Sequence, residues 1–158
     1  MPPRANLRLS TRTRQNEVAT NAQEPMRGVI DALAVIELDE VARCACTLPD
    51  GNFAVGFDSG MLRVYGCDGA TIGSDALDSR VVGLASLGDH LVAATSTGGV
   101  RAFHNEPLWS HPIESGCETL SASSDYTVAS DGIGRLIALT ADGSEVAETE
   151  FGHVTSLT

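Results

Sequence analysis

The feature that most constrains this chain is an internal repeat organised around a glycine turn. A glycine followed by a short apolar run occurs three times, as Gly60-Met61-Leu62-Arg63-Val64-Tyr65, Gly98-Gly99-Val100-Arg101-Ala102-Phe103 and Gly134-Arg135-Leu136-Ile137-Ala138-Leu139. The leading glycines are 38 and 36 residues apart. Self-similarity at such a period is typical of proteins in which one supersecondary unit is repeated along the chain.

Each copy shows the same order of strand and turn signals. An apolar run that ends in a small residue precedes each glycine turn, at Phe53-Ala54-Val55-Gly56, Leu91-Val92-Ala93-Ala94 and Thr127-Val128-Ala129-Ser130. An Asp-centred turn comes before each run, and before that turn a first strand is predicted over residues 43–47, 81–85 and 117–121. A weaker fourth strand follows near Thr71, Leu108 and Val146. Residues 154–158 match the first strand of a further copy.

Four short strands per copy predict an all-β protein made of β-propeller blades. We expect three four-stranded antiparallel blades, over about residues 41–77, 78–113 and 114–151, and a partial fourth blade over residues 152–158. Propeller rings usually need roughly 4–8 blades. The ring is therefore predicted to be incomplete, and its open flanks predict self-association or a partner protein that supplies the missing blades.

The chain before the repeats is predicted to divide at about residue 28. Residues 1–28 are polar, lack strand or helix periodicity and are interpreted as a flexible arm that contains arginine. The first 14 residues carry no acid and hold Arg4, Arg8, Arg12 and Arg14. This arm could dock on an acidic surface or be a solvated tail. Residues 29–158 are the predicted propeller domain, in which residues 29–40 are interpreted as strand although their apolar spacing also fits a helix.

The individual copies resemble two known kinds of propeller repeat. The first copy, with its Leu48-Pro49-Asp50-Gly51 turn, resembles a WD40 repeat, and Gly152-His153 falls where WD40 repeats carry a Gly-His pair. The second and third copies, with Leu108-Trp109 and Asp142-Gly143 after their third strands, resemble the PQQ-type repeats of quinoprotein-like propellers. No copy has the Trp-Asp dipeptide of WD40 repeats. The resemblance implies a propeller fold but no particular activity, because both kinds of propeller serve very different tasks.

Charge and composition exclude several classes of function. The net charge is −11 and all ten basic residues are arginine. This composition resembles that of proteins from extreme halophiles, and it also fits a generic acidic protein. An acidic surface repels phosphate backbones, so nucleic acid is not expected as a partner. The longest apolar run, residues 32–38, is too short to cross a membrane. Four cysteines without a secretory signal predict reduced thiols and a cytoplasmic protein.

Cysteine, histidine and aspartate are the residues that could hold a metal. Cys44 and Cys46 share one face of a predicted strand, but structural zinc takes four ligands, so both are interpreted as small buried apolar residues. The turn carboxylates of Asp58 and Asp131 are predicted to be solvated rather than to hold a cation. The histidines lack metal-ligand spacing and fall in turns or at strand starts, at His90, His104, His111 and His153.

The sequence thus predicts no catalytic, cofactor-binding or metal-binding residue. The favoured function is a non-enzymatic interaction module or scaffold whose exposed loops bind a partner protein. The alternative is a structural half or truncated remnant of a larger propeller, completed by self-association or by a partner subunit. A quinoprotein-like enzyme is the third interpretation, and it ranks last because that chemistry needs a deep central funnel that three blades do not form.

Overall fold

The computed structural model describes residues 35–150, which form three four-stranded antiparallel sheets. The strands of each sheet pair in chain order, so each sheet is one blade. Blade 1 comprises β1 (Ala42–Thr47), β2 (Phe53–Phe57), β3 (Met61–Tyr65) and β4 (Thr71–Ala76). Blade 2 comprises β5 (Val81–Leu87), β6 (His90–Thr95), β7 (Gly99–His104) and β8 (Glu106–His111). Blade 3 comprises β9 (Cys117–Ala122), β10 (Tyr126–Asp131), β11 (Arg135–Thr140) and β12 (Glu145–Glu150).

The strands predicted from the repeat are confirmed, and so is the all-β class. Each predicted strand between residues 43 and 150 is present, and its ends differ from the prediction by two residues at most. The three blades do not close into a ring. The described part of the chain contains no helix, and so none there is long and apolar enough to cross a membrane. The predicted first strand of a fourth blade, residues 154–158, lies outside the described residues.

The strand predicted before the first blade is wrong for residues 35–40. Residues 35–38 have no regular structure and residues 39–40 form a bend, while residues 29–34 lie outside the described range. β1 pairs only with β2 within the described residues, so no ladder continues into this segment. The side chains of Asp39 and Glu40 instead bind the guanidinium of Arg63 in β3.

The middle blade is buried on both faces because blades pack against it on both sides. In β6, all five residues from Leu91 to Thr95 are buried, which explains why its sequence is almost continuously apolar. The fourth strands lie at the outer edge, and in β12 every residue is exposed. Two apolar cores result, one between blades 1 and 2 and the other between blades 2 and 3.

Neighbouring blades approach closely where their first strands carry small residues. β5 lies beside both β1 and β9. A Cβ atom added at Gly83 of β5 would come within 2.5 Å of the Cβ of Leu120 in β9. A Cβ added at Gly56 of β2 would come within 2.4 Å of Cγ1 of Val81. Glycine at these two positions therefore sets the distance between the blades.

The outer edges of blades 2 and 3 are joined by one tryptophan. Trp109 of β8 donates a hydrogen bond from Nε1 to the carbonyl oxygen of Ala141, at 2.8 Å. A Cβ added at Gly143 would lie 2.6 Å from the ring atom Cδ2, so the indole packs directly on the turn between β11 and β12. Nε2 of His111 lies 3.6 Å from a carboxylate oxygen of Glu145 in β12. Blade 2 thus holds blade 3 by its rim as well as by its core.

We expect Gly83→Ala to lower the free energy of unfolding by about 1–3 kcal/mol, because the added methyl group has no space against Leu120. Gly73→Ala in β4 is the matched control, since a Cβ there meets nothing closer than 4.0 Å. Urea unfolding followed by circular dichroism measures both changes. Equal stabilities of the two variants would contradict the role assigned to Gly83.

Candidate binding groove between the first two blades

The turns of the blades lie at two opposite ends of the strands, and the two ends differ in chemistry. The turns between second and third strands, together with the connections into the first strands, form what we call the arginine end. The turns that follow the first and third strands form the groove end. This division follows from antiparallel pairing in chain order, which returns the chain to the same end after every second strand.

All five arginines of the described residues pair with carboxylates at or near the arginine end. Arg63 binds Asp39 at 2.6 Å and Glu40 at 2.5 Å. One carboxylate oxygen of Asp58 receives both Arg43, at 2.8 Å, and Arg80, at 3.0 Å. The two remaining arginines follow the same rule, with Arg101 bound to Asp78 and Arg135 bound to Asp131 and Glu148. The cations of the blades are therefore concentrated at one end.

Asp131, the last residue of β10, is a buried carboxylate at this end. It has no exposed surface, and its oxygens accept hydrogen bonds from the hydroxyl of Ser115 and from Nε of Arg135, both at 2.7 Å. The backbone N–H groups of Ile133 and Arg135 also donate to it. Burial by itself would raise the pKa of Asp131, but these hydrogen bonds outweigh burial and hold the pKa well below its usual value.

The solvated state predicted for the two turn carboxylates is therefore wrong for Asp131. Asp58 is 43% exposed in its side chain but is shared by two arginines, so it is paired as well. Asp131 occupies the repeat position held by Phe57 in blade 1 and Thr95 in blade 2. Thr95 accepts a hydrogen bond from the N–H of Gly98, and the ring of Phe57 lies 4.8 Å beneath the guanidinium of Arg63. The repeat thus places a buried residue at this point, with different chemistry in each copy.

A groove runs between blades 1 and 2, from the turns of the groove end along β3 and β4 as far as Leu62 and Asp75. Its cavity volume is about 760 Å³. The floor is apolar and comes from both blades, with Leu48, Leu62 and Val64 on one side and Leu91 and Phe103 on the other. The exposed side chain of Ile72 stands at its outer margin. Both walls are strands packed on the core between the blades, so the groove is held rigidly.

The rim of the groove is acidic on both sides. Exposed carboxylates line it at Asp50 and Asp75 of blade 1 and at Asp89 and Glu106 of blade 2. Asp50 accepts hydrogen bonds from Asn52, and Asp75 accepts one from the N–H of Ala76. None of these four carboxylates pairs with an arginine between residues 35 and 150, since the five arginines there bind other acids.

One repeat position differs between this junction and the next in the side chain that it places over the cleft. Gly73 of β4 pairs with Val64 of β3, and Trp109 of β8 pairs in the same register with Ala102 of β7. The two residues therefore occupy equivalent positions in blades 1 and 2. The indole of Trp109 covers the junction of blades 2 and 3, whereas glycine leaves the equivalent space above blade 1 open.

Two histidines lie beside the groove. The rings of His90 and His104 meet edge to face, with centroids 5.9 Å apart. Nδ1 of His104, which lines the groove, is 3.2 Å from the carbonyl oxygen of Asp89. Nδ1 of His90 is buried and has no hydrogen-bond partner among the described residues. The predicted placement in turns or at strand starts is confirmed for His90, which begins β6, and is wrong for His104, which is the last residue of β7.

The cysteines lie in the positions predicted, and three of them are at least half buried. Cys44 and Cys46 face blade 2 from β1, and burial raises the pKa of each thiol to about 11. Burial raises the pKa of Cys117 to about 12. These thiols are protonated at neutral pH, a state in which cysteine is a poor metal ligand. No three metal-binding side chains gather within residues 35–150.

Comparison with known proteins supports the architecture and nothing narrower. No protein-family model matches the chain, and no curated protein resembles it in sequence. The computationally designed Ika4 protein is similar in structure, with a TM-score of 0.69 and 18% identity over 77% of this chain and 81% of that one. The WD40 repeats of RRP9 match with a TM-score of 0.66 and 12% identity over 74% of this chain.

The fold is that of β-propeller blades. BamB from Moraxella catarrhalis agrees, with a TM-score of 0.60 and 15% identity over 68% of this chain. The match with this chain covers 40% of the length of the RRP9 structure and 34% of the length of BamB. The closer resemblance of the second and third copies to PQQ-type repeats stays a prediction.

We expect Asp131→Asn to lower the free energy of unfolding at neutral pH by about 2 kcal/mol, because it weakens hydrogen bonds to a buried charge. The folded pKa of Asp131 is depressed, so its stabilising effect is present above the unfolded carboxyl pKa of about 4 and is lost as pH falls below that value. The difference in stability between the variant and the wild type should therefore shrink in acid.

Unfolding in urea at a series of pH values measures this difference, with the exposed turn residue Asp125 changed in Asp125→Asn as the control. A difference that stays constant from neutral pH into strong acid would contradict the ionised, hydrogen-bonded state of Asp131.

Proposed function

We propose that this chain is a non-enzymatic protein-interaction module and that the groove between blades 1 and 2 is its binding surface. The observation that carries the proposal is a cleft between two blades that share one core, in which the partly exposed Leu48 and Val64 and the exposed Ile72 offer apolar contacts. Concave sites lined by apolar side chains and bounded by a few polar groups are the usual form of binding sites. A rigid site also binds with a smaller loss of conformational entropy than a site that must first become ordered.

The structural neighbours support this proposal at the level of the fold. WD40 repeats such as those of RRP9 are among them, and folds of this kind present variable loops and edges on a constant scaffold. The polar side chains that line the groove are four carboxylates, two asparagines, a serine and one histidine. An interaction role uses the surface that is present and requires no further group.

Replacing Gly73 with tryptophan, the residue at the equivalent position 109 of blade 2, tests the proposal. We expect Gly73→Trp to fill the groove and abolish partner binding, because a Cβ at this position meets nothing closer than 4.0 Å and the indole can occupy the cavity. Ala147→Trp is the matched control, since Ala147 pairs with Ala138 in blade 3 at the same repeat position and is exposed.

The measurement is quantitative co-purification from cells of the source organism with the wild-type protein and both variants. The proposal predicts that specific partners are retained by Ala147→Trp and lost by Gly73→Trp. Partners that are retained by both variants, or lost equally by both, would contradict it. Circular dichroism of each variant shows that the fold is preserved.

A second candidate function is that of one part of a larger propeller, and the free face of blade 3 favours it. In blade 2, the face turned toward blade 3 contains Val92, Val100 and Ala102, all fully buried. Their repeat equivalents in blade 3 are Val128, Leu136 and Ala138, which are only partly buried. Among residues 35–150, no strand covers this face as blade 3 covers the equivalent face of blade 2, and a second copy or a partner subunit could supply that cover.

For this candidate we expect the chain to self-associate, or to bind a partner that carries blades, through the free face of blade 3. Light scattering over a range of concentrations should then give a mass above that of the monomer. Val128→Arg should reduce the mass to the monomer, because it places a charge in the contact, while Val146→Arg on the exposed outer strand should have no effect. A folded, cooperative monomer of the unchanged chain, with no partner, would contradict the candidate.

A further inference from the structure

We infer that the groove binds an extended segment of a partner protein in which basic side chains flank apolar ones. This inference rests on the proposed function and specifies the partner of the same site. The surface it concerns is formed by the apolar floor at Leu48, Leu62, Val64, Leu91 and Phe103 and by the four rim carboxylates.

The distribution of charge selects a basic partner. Each arginine between residues 35 and 150 is bound to an acid at or near the arginine end, which leaves no arginine among the residues that line the groove. The net charge of the chain is −11, so the wider field has the same sign as the groove rim. Complementary charge raises the association rate and disfavours partners of like charge. Acidic peptides and anionic lipid surfaces are disfavoured for this reason.

The position of the carboxylates defines how the charges of the partner must be arranged. Asp50 and Asp75 lie on the blade 1 side of the floor, and Asp89 and Glu106 lie on the blade 2 side. A ligand that buries an apolar side chain on the floor therefore has carboxylates on both sides of it. An arginine or lysine can satisfy such an acid while the aliphatic part of its side chain covers the apolar margin at Ile72.

The shape of the site favours a peptide segment over a compact ligand. The cavity of about 760 Å³ is lined by residues of three turns and by residues along β3 and β4 as far as Leu62 and Asp75, so it follows the junction of the two blades. It offers separate apolar contacts from blade 1 at Val64 and from blade 2 at the exposed Pro107. Successive side chains of an extended chain can fill such contacts in turn.

The test is fluorescence anisotropy with two labelled peptides on the full chain. One peptide has arginine residues on both sides of a central leucine and phenylalanine, and the other has glutamate in place of every arginine. Binding is measured at the lowest salt concentration at which circular dichroism shows an intact fold. We expect the arginine peptide to bind, the glutamate peptide not to bind, and the affinity of the arginine peptide to fall as salt is added.

Two double variants with equal changes of charge locate the effect. Asp75→Asn with Glu106→Gln removes one carboxylate from each side of the rim and should weaken binding about tenfold. Asp125→Asn with Glu150→Gln removes two exposed carboxylates of blade 3, outside the groove, and should leave the affinity nearly unchanged. Equal losses in the two double variants would overturn the inference, because they would show attraction by net charge alone. Binding of the glutamate peptide would overturn it as well.

Gly73→Trp separates this inference from the proposed function. If cellular partners are lost in this variant but the arginine peptide does not bind the wild-type chain, the groove is an interaction site and the basic partner is wrong. If the arginine peptide binds the wild-type chain and Gly73→Trp equally, its site is elsewhere and the inference fails. A monomer mass for Asp75→Asn with Glu106→Gln, against an oligomer for the unchanged chain, would assign the groove to a second copy and overturn the inference.

Discussion

The close approach of consecutive blades is the contact on which the rest of this structure depends. Glycine at positions 56 and 83 allows first and second strands to come near enough for Val81 and Leu120 to pack directly on the neighbouring backbone. Both apolar cores lie between blades rather than within one blade, and a single sheet could not bury either face alone. Gly56 therefore sets the approach of blades 1 and 2, which bound the groove, and Gly83 sets the approach of blades 2 and 3.

Electrostatics divide the same scaffold into two unlike ends. Arginine is used at one end to satisfy acids at the turns, most completely at Asp131, where four donor groups converge on a carboxylate without exposed surface. The other end keeps its acids in solvent. Surface ion pairs contribute little to stability individually. The main effect of this separation is a negative electrostatic potential over the groove, because carboxylates line it and arginines do not.

Much of the fold could be predicted from the sequence, because the repeat shows which strands and turns of the three copies are equivalent. The glycine turns and small-ended apolar runs located the strands of all three blades, since turn chemistry and alternation are local properties. The segment 35–40 was predicted wrongly because its apolar pattern was local, whereas a strand needs a neighbouring strand to pair with. The state of Asp131 was missed for a related reason. Its partner Ser115 lies 16 residues away, although alignment of Asp131 with Phe57 signals a buried position.

The groove could not be predicted, because its lining residues come from turns and strands of two copies and converge only when the blades pack. The exchange of tryptophan for glycine at one point of the repeat has a consequence for how such proteins evolve. In blade 1 this position, Gly73, lies on the outermost strand and an added Cβ meets nothing closer than 4.0 Å, so its side chain can change at small cost to folding. A single codon can therefore open or seal a cleft between repeats. A chain of duplicated blades thus holds several latent sites, any of which mutation can bring into use without a change of architecture.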